Sequence, residues 1–192
     1  IATLAVAFSM VPAQGWLQQF SNQLFLNVQP LDVSKIMEKA NLALQTVSSL
    51  DALLAHYPRL VAKTLGTDHV HIFIGDSEVL HLRSPDSSYL PPLQMSSPLP
   101  RWLQAHREPL VLDMIARSRP DDQMLAAGQA LKDMHSAIAV GIYSKTAMEG
   151  VMLLGSRVSG RIYGIEEKRA LQLLADQLAV AETLIGRYLR SD

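Results

Sequence analysis

The spacing of apolar residues changes twice along this chain, and that change limits the folds open to it. From Leu31 to Leu65 they recur every three or four residues, as on one face of a helix. At Val70, Ile72 and Ile74 they alternate with His69, His71 and Phe73, the pattern of a strand with two unlike faces. A second alternating region spans Ala137–Tyr143 and Met148–Ser156, and from Ile165 to Arg190 the helical spacing returns. Helix, hairpin, an excursion holding a helix, hairpin and helix together predict an α+β fold. Its antiparallel sheet has five to six strands, with N- and C-terminal helices packed on one face.

Local signals place the elements. Asp32 and Ser34 start a helix over Leu31–Val47, and Ser48 with Asp51 restarts one that runs to Gly66. Pro58 lies inside it and should kink it or leave one hydrogen bond unmade. Gly75-Asp76 turns the chain into Glu78–Arg83. Ser84–Pro100 holds five prolines and reads as a long loop. A short helix with Trp102 and Leu103, a strand-like Pro109–Ile115 and a helix over Asp121–Met134 follow. The closing segment carries two apolar lines. Leu171, Leu174, Leu178, Ala181, Ile185 and Tyr188 form the first, which we assign to a homodimer seam; Leu173, Val180 and Leu184 form the second. Ala181→Glu or Leu178→Asp should then turn a dimer into a monomer.

No charged residue precedes Asp32, and Ile1–Val11 is apolar except for Thr3 and Ser9. Eleven residues cannot span a bilayer, which needs about 20 in a helix. We therefore expect residues 1–30 to be membrane-proximal, the tail of a transmembrane helix, with Trp16, Phe20 and Phe25 as an interfacial belt. Residues 31–48 read as a linker or signalling helix and 49–190 as the main domain of a piece of a longer protein. Elsewhere 17 basic residues nearly balance 18 acidic ones, which argues against a nucleic-acid partner bound by neutralising phosphates. With no cysteine, thiolate nucleophiles, disulfides and Cys-ligated metals are excluded.

The chemistry-bearing residues are few. His69 and His71 share a strand face and His81 is expected across the hairpin, so three imidazoles could converge on a metal; His135 is a further haem-ligand candidate. A metal- or haem-using enzyme or sensor is thus a rival reading, although no metal site is assigned and histidines on the polar face of a half-buried sheet are commonplace. Gly155–Gly160 imitates the start of a phosphate-binding loop but continues with Arg161 and Ile162 where Lys and Ser or Thr belong, so a turn is the better reading. Asp121-Asp122 at a helix start complement the helix dipole rather than form an acid–base pair.

The run Glu149–Glu182, with its Gly150–Gly155 strand, Tyr163, Glu166-Glu167 and Leu174–Ala179, together with Leu50–Ile74, resembles a GAF domain over about residues 49–190. Val11–Leu26 before a helix is similar to the junction between the last membrane helix and a cytoplasmic GAF domain in bacterial sensor histidine kinases, without its usual basic residues. The resemblance implies a sensory or relay module on the cytoplasmic side of the inner membrane, dimeric through flanking helices, with the kinase downstream and no catalysis here. A transcription regulator or a cyclic-dinucleotide enzyme is an alternative host. It also implies a pocket for an unknown small molecule between the sheet and Ser84–Met134, for which His71, Phe73, Trp102 and Met114 are the candidates. The Asn-Lys-Phe-Asp-Glu set of the family's cyclic-nucleotide binders is missing. So is the cysteine of its bilin binders and methionine sulfoxide reductases.

Overall fold

Helix α1, Leu50–Leu65, buries Leu54, Tyr57, Val61 and Leu65 along one stripe and runs unbroken through the buried Pro58. A computed structural model of the chain describes residues 50–83, 90–145 and 147–188, with side chains from 54 to 180. Residues 1–30, the helix expected over Leu31–Val47 and residues 84–89 lie outside the described residues. Gly66, at φ +63°, stops α1, and the Thr67 N–H reaches back 3.1 Å to the Ala62 carbonyl, closing the helix end as glycine there permits.

Strands β1 (Val70–Gly75) and β2 (Val79–Leu82) form the first hairpin. The Asp76 carboxylate shapes its turn by accepting the N–H groups of Glu78 at 2.8 Å and Val79 at 3.0 Å, bonds that also hold its pKa below the usual carboxylate value. Next come β3 (Leu93–Gln94), α2 (Pro98–His106), β4 (Leu110–Val111), α3 (Leu112–Ile115) and α4 (Asp122–Asp133). Strands β5 (Ile138–Tyr143) and β6 (Met148–Leu154) form the second hairpin, and α5 (Ile165–Tyr188) ends the described chain. The order across the antiparallel sheet is β3-β2-β1-β6-β5-β4.

Two expectations about the excursion are corrected. Pro98 and Pro100 are not loop residues: they occupy the first turn of α2, where a missing N–H costs nothing and a fixed φ suits the helix. Pro109–Ile115 supplies only two strand residues, Leu110 and Val111, paired with Ala139 and Ile138: Pro109 before them has no N–H to donate, and α3 begins at Leu112.

Both faces of the sheet are covered. Helices α1 and α5 pack on one face, tied together where the buried Tyr57 hydroxyl donates to the Leu174 carbonyl at 2.9 Å. The short helices lie over the other. Five consecutive β1 residues, Val70–Ile74, are therefore buried, not every second one as on a half-solvated sheet. Within α5, Leu171, Leu174 and Leu178 are completely buried inside the chain's own core. This corrects the seam: these side chains hold α5 to the sheet and cannot also meet a partner. Leu173 and Val180, seven residues apart, are 48% and 60% exposed and form the free apolar line. The side chains of Ala181, Ile185 and Tyr188 lie outside those described.

Candidate small-molecule site

Alternation along β1 sends His71 and Phe73 to the same face, the one beneath the short helices. There Phe73, Leu80, Trp102, Leu103, Leu131 and Val151 belong to one buried apolar cluster. The space expected to hold a ligand between sheet and excursion is, among the described residues, packed with side chains. Phe73 is its floor and fully buried; Trp102, 3% exposed, is its roof.

Open space lies at the margins of this layer. Between the first turns of α2 and α4 a cleft of about 230 Å³ is lined by Pro98, Arg101, Trp102, Asp122, Gln123 and Ala126. Trp102 is braced by the exposed His106, whose ring stacks on the indole at 4.3 Å and whose Nδ1 lies 3.0 Å from the Trp102 carbonyl oxygen. Two helix N-termini come near the cleft, yet neither offers free amides in the usual number. Pro98 and Pro100 remove donors from α2, and Asp121 caps α4 by accepting the Met124 N–H at 2.8 Å. Recognition here falls to side chains instead: a guanidinium, a carboxylate and an amide around an apolar floor, the make-up of a site for a small polar molecule with an apolar part. Met114 is not part of it. At 37% exposure, Met114 borders a separate hollow of about 490 Å³ with Arg117, Ser118, Ile162, Tyr163 and Gly164.

The three-imidazole convergence is corrected. His81 pairs with Ile74 across the hairpin, and directly opposed residues share a face, so it points to the α1/α5 side while His69 and His71 occupy the other. The His69 and His71 rings are neighbours at 4.7 Å, and His69 Nδ1 lies 3.1 Å from the Asp68 carboxylate. His135 is exposed at φ +53°, ending α4: its N–H bonds the Lys132 carbonyl at 2.9 Å, and the Ser136 N–H bonds that of Leu131 at 3.1 Å. Among the described residues no three His, Asp or Glu side chains are grouped to hold a metal ion. Gly155–Gly160 forms a turn in which Arg157 bridges Thr67 and pairs with Glu167 at 2.8 Å.

One arrangement escaped the sequence reading. Tyr143, at the end of β5, lies back over Gly141, so close that a Cβ on Gly141 would collide with its hydroxyl and ring. That hydroxyl donates to the Leu103 carbonyl of α2 at 2.7 Å, and Arg107 sits 5.3 Å above the ring. Burial raises the Tyr143 pKa to about 12. Since the folded chain holds this proton above the pH at which the unfolded chain releases it, stability is complete below pH 10 and falls as the pH rises from about 10 to 12. Tyr143→Phe is expected to flatten part of that fall in urea titrations between these pH values. Tyr57 and Tyr163, also raised by burial, should retain the rest.

The comparisons with known proteins agree with the fold. The GAF domain profile matches residues 49–182. The chain belongs to the GAF domain family. Solved structures similar to this GAF domain include the GAF domain from a phosphoenolpyruvate-protein phosphotransferase of Coxiella burnetii, 13% identical, with a TM-score of 0.63 over 82% of this chain and 96% of the other. A methyl-accepting chemotaxis protein fragment is 17% identical, with a TM-score of 0.60 over 76% and 95%. Free methionine-R-sulfoxide reductase from Neisseria meningitidis, in complex with its substrate, is 15% identical, with a TM-score of 0.60 over 81% and 91%. At these identities the likeness is one of fold. No curated protein matches the sequence of this GAF domain.

Proposed function

We propose that this GAF domain is the non-catalytic sensory or relay module of a membrane-anchored sensor histidine kinase, working as a homodimer on the cytoplasmic side of the inner membrane. The observation that carries the reading is the division of α5 into two faces. One is sealed against the sheet through Leu171, Leu174 and Leu178; the other displays Leu173 and Val180 at heptad spacing. A helix fixed to a sensing core on one side and free on the other is suited to pass a change in that core to a partner helix and onward. In this reading a small molecule enters the cleft between α2 and α4, and residues 1–30 supply the anchor. Among the described residues no helix is long and apolar enough to cross a membrane. The absence of cysteine leaves no thiol for redox catalysis of the kind a reductase on this fold would need.

The test is phosphate incorporation from radiolabelled ATP into the parent protein in membranes. The reading expects ATP-dependent labelling that drops at least about tenfold in Val180→Glu, because a charge at a helical seam disfavours the pairing the signal needs. A parent that takes up no label, or whose labelling ignores the substitution, contradicts it.

A further inference from the structure

We propose that Tyr143 couples α2, which walls the cleft, to α5, which carries the output, through the backbone of Gly141. This rests on the sensory reading for its purpose, not for its geometry. On the α2 side Tyr143 is held at two points, the 2.7 Å bond to the Leu103 carbonyl and the Arg107 guanidinium over its ring. The same Leu103 carbonyl accepts the Arg107 N–H at 2.9 Å, with Arg107 at φ +52° ending α2, so helix end, cation and phenol form one unit. A shift of α2 must carry Tyr143 with it or break that unit.

Beneath the ring is Gly141, where no side chain fills the space Tyr143 occupies. If the ring leaves, an unfilled gap opens over the strand, which makes the two positions distinct and not continuous. The backbone here is also less covered than at the start of β5. Strand β4 pairs only with Ile138 and Ala139, so beyond them β5 has a neighbour on one side, and its register with β6 is irregular between Ile142 and Tyr143. On the far side, Gln172 of α5 donates its amide to the Gly141 carbonyl at 3.2 Å and to the Asp176 carboxylate at 2.9 Å. Gln172 Oε1 is buried without a hydrogen-bond partner among the described residues, so the side chain is held here through its amide nitrogen and not through its oxygen. The line Leu103, Tyr143, Gly141, Gln172 thus runs from α2 to α5 by way of β5. Tyr143 and Gln172 are positioning residues in it.

Hydrogen exchange of the full chain tests this without any ligand. Tyr143→Phe should speed amide exchange in α2 by roughly fivefold, the scale of one net hydrogen bond, and also in α5 around Gln172. Gln172→Ala should reciprocally speed exchange in α2. The effect of Gln172→Ala on α2 should vanish when residue 143 is already Phe. Ile115→Val, a mild core substitution off this line, controls for general loosening and should not produce the paired response. If each substitution changes only its own side, or if the effect of Gln172→Ala on α2 persists in the Tyr143→Phe background, the coupling is refuted, while the cleft's binding role would stand. Failure to find a ligand for the cleft would leave the coupling intact.

Discussion

Leu178→Asp is expected to unfold the domain, not to dissociate a dimer. Leu178 is completely buried between α5 and the sheet, with Leu171 and Leu174 in the same stripe. The substitution removes an apolar side chain and places a carboxylate where nothing compensates it, so the combined cost is roughly 5 kcal/mol or more. A domain of this kind has about 5–15 kcal/mol in all. Far-UV circular dichroism under urea should show the folded signal lost or the midpoint drastically lowered. A variant that keeps its structure and merely halves its mass would restore the Leu171, Leu174 and Leu178 seam that burial argues against.

Gly150→Val should be nearly as damaging, for a reason in the backbone. Gly150 sits in central strand β6 opposite Ile74, and a Cβ there would strike the Phe73 carbonyl oxygen of β1 while pressing Ile142 Cδ1 at 3.2 Å and Ile74 Cγ1 at 3.3 Å. A main-chain oxygen in the middle of a sheet cannot swing aside, so we expect a loss of about 3 kcal/mol or more in urea titrations. Gly141 is the instructive contrast: what meets its Cβ is the far end of Tyr143, a side chain that can rotate away by giving up its bond to Leu103 and its contact with Arg107. Gly141→Ala should therefore cost less stability than Gly150→Val. An equal or smaller loss for Gly150→Val would mean that β1 and β6 do not pack as closely as described.

Much of this architecture is written in periodicity. The alternation at Val70–Ile74 and Ala137–Tyr143 and the three-four spacing of Ile165–Arg190 mark hairpins and helices without knowledge of what covers them, because a strand or helix must show its apolar face to something. What periodicity cannot say is which partner that is. The line through Leu171, Leu174 and Leu178 and the line through Leu173 and Val180 look alike as sequence, and only the packing on Tyr57 and the sheet shows that the first is internal. The same limit misplaced His81: spacing puts it across the hairpin but does not fix the register, and pairing with Ile74 sends it to the face opposite His69 and His71.

The candidate site was legible only in part. Trp102 and Phe73 are named by the sequence only through the pocket that the resemblance implies between the sheet and Ser84–Met134; the first lines the cleft and the second lies in the packed layer beside it. Arg101 and Gln123 carry no local signal: they border the cleft because two separate helix starts meet there. Asp122 was noticed as a helix-start charge, a role it shares with lining the cleft. For Tyr143 a trace exists. A glycine two residues before a tyrosine on one strand lies on the same face, and a bare backbone beside a large ring is a place for the ring to lie.

Light scattering of the purified chain with Leu173 and Val180 both changed to Glu tests the central claim, that α5 seals the core with one face and pairs with a second copy through the other. The account predicts a wild type of twice the chain mass and a double variant of single mass with unchanged far-UV circular dichroism. A wild type that is already monomeric, or a variant that stays dimeric, would contradict it.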